Sequence, residues 1–102
     1  ADAAVESSEN SVPTASAGAD FSTSADQLVV LDATASVDAD GDRLAFIWRQ
    51  VSGSPTVTLQ DGYSSRPRFF APSGTTTTLR FRLTVADGLS TATDEVDVTI
   101  AP

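Results

Sequence analysis

Thr78-Leu79-Arg80-Phe81-Arg82-Leu83-Thr84-Val85-Ala86 is the stretch that decides the fold. Side chains alternate between the two faces of a strand. Leu79, Phe81, Leu83 and Val85 therefore point one way, and Arg80, Arg82 and Thr84 the other. Glu95 to Ala101 repeats the pattern, with Val96, Val98 and Ile100 set against Glu95, Asp97 and Thr99. The short Asp87-Gly88-Leu89-Ser90 segment between them is a turn signal, so the two form an antiparallel hairpin. On this parity Arg49, Arg80 and Arg82 face solvent near Glu95 and Asp97, which favours cross-strand charge pairs and leaves a ligand face as the other reading.

Working outward, Leu44 to Val51 reads as a strand with Leu44, Phe46 and Trp48 on one face and Ala45, Ile47 and Arg49 on the other. Gln27 to Ala33 reads as another buried strand, and shorter ones are expected at Thr56 to Leu59 and Pro67 to Ala71. Pro13 to Phe21 should run along a sheet edge, where proline is tolerated. No segment has sustained helical spacing with capping residues. The chain thus reads as all-β, about seven short strands in two antiparallel sheets packed face to face. Phe46, Trp48, Phe69 and Phe81 fill the core, and truncating Trp48 should be severe. If Val29, Leu31 and Phe69 point inward, then Leu28, Val30 and Phe70 point outward, a pattern that can mark contact with a partner or a polymer. Tyr63, in a Gly-Tyr-Ser-Ser loop, is the other candidate for stacking on a sugar ring.

The 102 residues suit one domain, and residues 1–9, small, polar and acidic without periodicity, read as a linker ahead of a domain spanning 10–102. Cysteine and histidine are absent, which removes disulfides, thiolate metal sites and the usual general base. Fourteen acidic residues against six arginines give a net charge of −8. Such a surface repels phosphate backbones and anionic lipid, so neither nucleic-acid binding nor membrane insertion is expected. No run of about 18 apolar residues and no signal-peptide pattern occurs. A catalytic reading has little support, because the carboxylates crowd one turn instead of facing each other across a cleft.

Asp38, Asp40 and Asp42 place three carboxylates within five residues. Like charges so close repel, and a hard divalent cation relieves that; calcium, with its six to eight oxygen ligands, suits the donors best. An EF-hand is excluded, because Arg43 and Arg49 stand where that loop needs Gly and Glu. The same aspartates, like Asp87-Gly88, also make ordinary turns without any ion.

Ser36-Val37-Asp38-Ala39-Asp40-Gly41-Asp42, followed by Leu44-Ala45-Phe46-Ile47-Trp48 and later by Leu83-Thr84-Val85-Ala86-Asp87-Gly88, resembles the PKD (polycystic kidney disease) domain. Trp48-Arg49-Gln50-Val51-Ser52-Gly53, with Val57-Thr58-Leu59 and Phe69-Phe70-Ala71-Pro72, is similar to the subgroup related to receptor-for-egg-jelly modules. The more familiar Trp-Asp-Phe-Gly-Asp-Gly run is replaced here by Trp48-Arg49-Gln50. The resemblance covers Asn10 to the C-terminus. It implies an immunoglobulin-like β-sandwich, used as a non-catalytic accessory or spacer module in secreted polymer-degrading enzymes or in surface and adhesion proteins. It also implies a structural Ca²⁺ held by Asn10, Ser11, Asp38, Asp40 and Asp87, with Asp42 outside the set. The expected partners are neighbouring domains of the same chain, or alternatively an insoluble polysaccharide, collagen or a surface protein on an exposed sheet face. The module itself is expected to be a monomer, secreted or at the cell surface.

Overall fold

The computed structural model describes residues 12–41, 43–74 and 76–102. The expected linker (1–9), Asn10, Ser11 and Asp42 lie outside the described residues. Six strands form: β1 (Phe21–Ser24), β2 (Leu28–Val30), β3 (Ala45–Ser52), β4 (Arg68–Phe70), β5 (Thr77–Ala86) and β6 (Thr91–Ala101). One sheet has the order β1-β6-β5-β3, and the other pairs β2 with β4.

The alternating stretch becomes β5, with Leu79, Phe81, Leu83 and Val85 fully buried. Its hairpin with β6 is antiparallel and runs from Ala86 opposite Thr91 to Thr77 opposite Ile100. Val96, Val98 and Ile100 of β6 join the same core. From the other sheet come Val29, Leu31 and Phe69. Phe69 and Phe81 meet across the two layers with ring centroids 5.1 Å apart and planes tilted by 38°, within the centroid range of favourable aromatic pairs and away from a flat sandwich. Trp48 is 6 % exposed, and its Nε1–H donates to the Ser64 carbonyl at 3.0 Å. The indole thus keeps its one donor satisfied while burying its rings. The Trp48 amide donates to the Gly62 carbonyl, so a loop covers the outer edge of β3.

Three expectations change. Among the described residues there are six strands and not seven, because Thr56–Leu59 forms no ladder. The Gln50 side chain takes its place: Oε1 accepts from the Val57 amide at 2.8 Å, and Nε2 donates to the Gly53 and Pro55 carbonyls. The long buried strand expected from Gln27 shrinks to Leu28–Val30, continued by single bonds from the Leu31 and Ala33 amides to Pro67 and Ser65. The edge strand is Phe21–Ser24, and it pairs with β6 in parallel, so not every pairing is antiparallel. Its direction follows from its path. Thr14 bridges Val37 at one end of the sandwich, whereas Ala25 and Asp26 bond to Ala101 and Ala71 at the other. A chain crossing between those ends beside β6 must run the same way as β6.

Candidate metal centre

Register assigns the expected ligands to positions. Ala45 at the start of β3 lies opposite Ala86 at the end of β5, so the Asp38–Gly41 turn that feeds β3 and the Asp87–Ser90 turn that ends β5 sit at the same end of the sandwich. The antiparallel Thr14–Val37 bridge brings residues 12–13 alongside Asp38 and Ala39. Three separated segments therefore reach one acidic pole.

The turns themselves are built by the aspartates. The Asp38 carbonyl accepts from the Gly41 amide at 3.0 Å, with Gly41 at φ +75°. Asp87 Oδ1 accepts from the Leu89 and Ser90 amides at 2.8 Å each, so this carboxylate caps its own hairpin turn. A carboxylate offers about four lone-pair sites, which leaves turn capping through Oδ1 compatible with cation binding through other lone pairs. The donor set is all hard oxygen, which fits calcium and excludes soft metals. Among the described residues, however, no three acidic side chains converge closely enough to hold an ion. Asp38, Asp40 and Asp87 share a pole without forming a finished cage; Asn10 and Ser11, which the set requires, lie outside the described residues.

Two further aspartates, missed by sequence reasoning, anchor the segment that leads away from this pole. Asp94 Oδ2 accepts from the Ala17 amide at 2.8 Å, and Asp20 Oδ1 accepts from the Asp97 amide at 2.9 Å. Ser36 Oγ accepts from the Ser16 amide just before them. Parity held the signal for Asp94: it shares the face of Val96, Val98 and Ile100, and a carboxylate on a core face needs a donor.

The outer face of the larger sheet carries the expected charge pairs. Arg80 binds Asp97 through two bonds of 2.8 and 3.1 Å, and Arg82 binds Glu95. Hydrogen bonds from Arg80 hold the Asp97 carboxyl below the usual carboxylate range, and the same contact raises Arg80. Asp32 is lowered too, first by the Thr34 hydroxyl and amide and then by Arg66. A shallow cavity of about 170 Å³ lies among Asp20, Arg80, Glu95 and Asp97; Arg80 there pairs with Glu95 and Asp97, and Asp20 accepts from the Asp97 amide. On the smaller sheet Leu28, Val30 and Phe70 are exposed as parity required, and Tyr63 is the most exposed large apolar side chain among the described residues.

Comparisons with known proteins place this arrangement. The family described as K319L-like, PKD domain, matches residues 17–100. The PKD domain from KIAA 1837 protein superposes with a TM-score of 0.71 at 25 % identity, covering 86 % of this chain and 85 % of that one. The PKD domain from human KIAA0319 gives 0.69 at 20 % identity, covering 89 % and 82 %. A nucleoside hydrolase-related hypothetical protein from Saccharophagus degradans, associated with carbohydrate metabolism, gives 0.72 at 25 % identity. The match covers 90 % of this chain, which spans about a quarter (26 %) of that protein's length. Nothing among curated proteins matches. PKD domains are structural modules of multidomain proteins and occur in extracellular or cell-surface proteins. With the family match spanning residues 17–100 and the sandwich in agreement, this chain belongs to the K319L-like PKD domain family.

Proposed function

We propose that this domain is a non-catalytic spacer module of a multidomain secreted or cell-surface protein, braced by a calcium ion at its acidic pole. The observation that carries the reading is the meeting of three separated segments at that pole, fixed by Ala45 opposite Ala86 and by the Thr14–Val37 bridge. Asp38, Asp40 and Asp87 supply carboxylates there, and Asn10 and Ser11 complete the ligand set in this reading. The ion supplies positive charge that offsets the crowded carboxylates. The chain's own part is to orient the oxygens: Asp87 is fixed by the turn it caps, and the segment leaving the pole is anchored through Asp94 and Ser36.

Binding the folded state alone adds RT ln(1 + [L]/Kd), about 2.7 kcal/mol at a hundredfold excess over Kd. The benefit is stiffness at the joint with a preceding domain, and neighbouring domains of the same protein are the partners this role requires. Calorimetry in millimolar calcium and in chelator tests it, with Asp38→Asn and Asp87→Asn as variants. Asparagine keeps an acceptor for the turn and removes the charge. Turn formation alone predicts the same transition in both buffers for every variant. Bracing predicts a higher melting temperature in calcium for the unaltered chain and a reduced difference in both variants.

A further inference from the structure

The outer face of the two-stranded sheet takes no part in the spacer role proposed above. Leu28, Val30 and Phe70 keep 51, 46 and 62 % of their surface exposed, although Val29 and Phe69 between them are buried. Leu28 lies directly opposite Phe70. Among the described residues, no other two exposed large hydrophobic side chains oppose each other across a strand pair. Together the three side chains present roughly 300 Å² of apolar surface, at the lower end of the patches that mark functional contacts.

The rim of the patch is charged and balanced. Arg68, opposite Val30, pairs with Asp61 at 3.0 Å, and Arg66 approaches Asp32 at 3.6 Å. All four side chains remain substantially exposed, between 45 and 64 %. Two positive and two negative groups thus border the patch on its Val30 side, on a chain whose net charge is −8, with Asp26 exposed beyond Leu28 at the other end.

We propose that this face is a self-association surface, covered by the same face of a second copy in a two-fold arrangement. Charge selects that occupant. Two copies carrying −8 each repel one another, most strongly through the acidic pole, and can approach only where the local charge cancels. A face with both signs side by side is complementary to itself under two-fold rotation, as an isologous contact requires. The larger sheet is also balanced by Arg80, Arg82, Glu95 and Asp97, but its two exposed large hydrophobic residues among those described, Phe21 and Ile47, sit on opposite edge strands, β1 and β3, so pairing there would meet no continuous apolar centre.

Area sets the strength. The apolar centre, even with its rim, falls short of the ~800 Å² per partner of a stable interface. The contact is therefore weak in free solution. It matters at high concentration, or where several copies are held on one surface and their effective concentration reaches the millimolar range. The chain is monomeric at micromolar concentration, and the dimer appears above it. A polysaccharide occupant is less well matched, because among the described residues Phe70 is the one aromatic ring on the strands of this face.

Sedimentation velocity between 20 µM and 1 mM, in chelator so that calcium plays no part, tests the proposal. The expected result is a weight-average mass rising from 10.5 kDa towards twice that value. Phe70→Ser and Leu28→Ser, at exposed positions, should keep the melting temperature of the unaltered chain and weaken dimerisation at least tenfold. A single 10.5 kDa species throughout, or association of Phe70→Ser equal to that of the unaltered chain, would overturn it. So would a chain that stays monomeric yet loses retention on insoluble polysaccharide on Phe70→Ser, which would assign the face to a polymer.

Discussion

Replacing Gly53 by alanine measures how closely the β3–β4 connection packs on β5. The pairing of β3 with β5 shifts by one residue between Gln50 and Ser52, and the chain then turns at Gly53 with φ +93°. A Cβ built there would stand 2.3 Å from the Thr78 carbonyl oxygen and 2.9 Å from Leu79 Cδ2. The obstacle is backbone of a strand hydrogen-bonded on both sides, so it cannot give cheaply. Two effects add. The left-handed conformation costs an alanine roughly 1–2 kcal/mol. Overpacking an interior already at close-packed density costs roughly 1–3 kcal/mol more. Gly88 separates them: its φ is +99°, and a Cβ there meets nothing within 4 Å. Gly88→Ala should therefore lose about 1 kcal/mol, once the smaller unfolded-state entropy of alanine is counted, and Gly53→Ala about 3 kcal/mol. Urea unfolding followed by Trp48 fluorescence reads both; with a slope of about 1 kcal/mol/M, the two midpoints should differ by roughly 2 M. Equal midpoints would refute the close approach, leaving backbone conformation as the whole effect.

Asp94→Ala removes the acceptor for the Ala17 amide and should cost about 1–3 kcal/mol for the donor left unpaired; hydrogen exchange should quicken at Ala17 and Ser16 first, and uniform protection would contradict the anchoring role. The pH dependence follows from Asp97 and Asp32. Both are lowered in the folded state, so the native protein binds fewer protons than the unfolded chain, and these groups stabilise it fully above the unfolded value and lose that contribution as pH falls below about 4. Unfolding midpoints at pH 7 and pH 3 should differ, and Asp97→Asn should narrow the difference; an unchanged difference would remove Arg80–Asp97 from the acid sensitivity.

The alternating strands were legible because each buries one face and wets the other, so period-two hydrophobicity in Thr78–Ala86 and Val96–Ile100 states both the strand and its orientation. The same parity set Arg80 and Arg82 near Glu95 and Asp97, and Leu28 and Phe70 on an outward face. Three features were hidden for separate physical reasons. Thr56–Leu59 has the β-branched composition of a strand, but Gln50 satisfies the Val57 amide, and a side chain that substitutes for a strand leaves no periodic trace. The parallel edge depends on where the chain must arrive, which is a property of the path between Thr14 and Asp26 and not of Phe21–Ser24. Asp94 was hidden because the last strand begins at Thr91 and not at Glu95; with the true start, an inward carboxylate would have called for a donor. For the acidic pole, the family resemblance implied that Asp38, Asp40 and Asp87 belong together, and the β3–β5 register puts their turns at one end of the fold. The ligand geometry was not legible, because it depends on backbone turns that the aspartates also build for themselves.

The central claim is that this pole holds calcium, and calorimetric titration of the domain with calcium chloride tests it most directly. One calcium should bind per chain, weakened at least tenfold in Asp38→Asn and Asp87→Asn, with magnesium a poor substitute because it demands near-ideal octahedral ligation and gives up water reluctantly. No saturable heat at millimolar calcium, together with an identical melting transition in chelator, would contradict it and leave the acidic turns as turns alone.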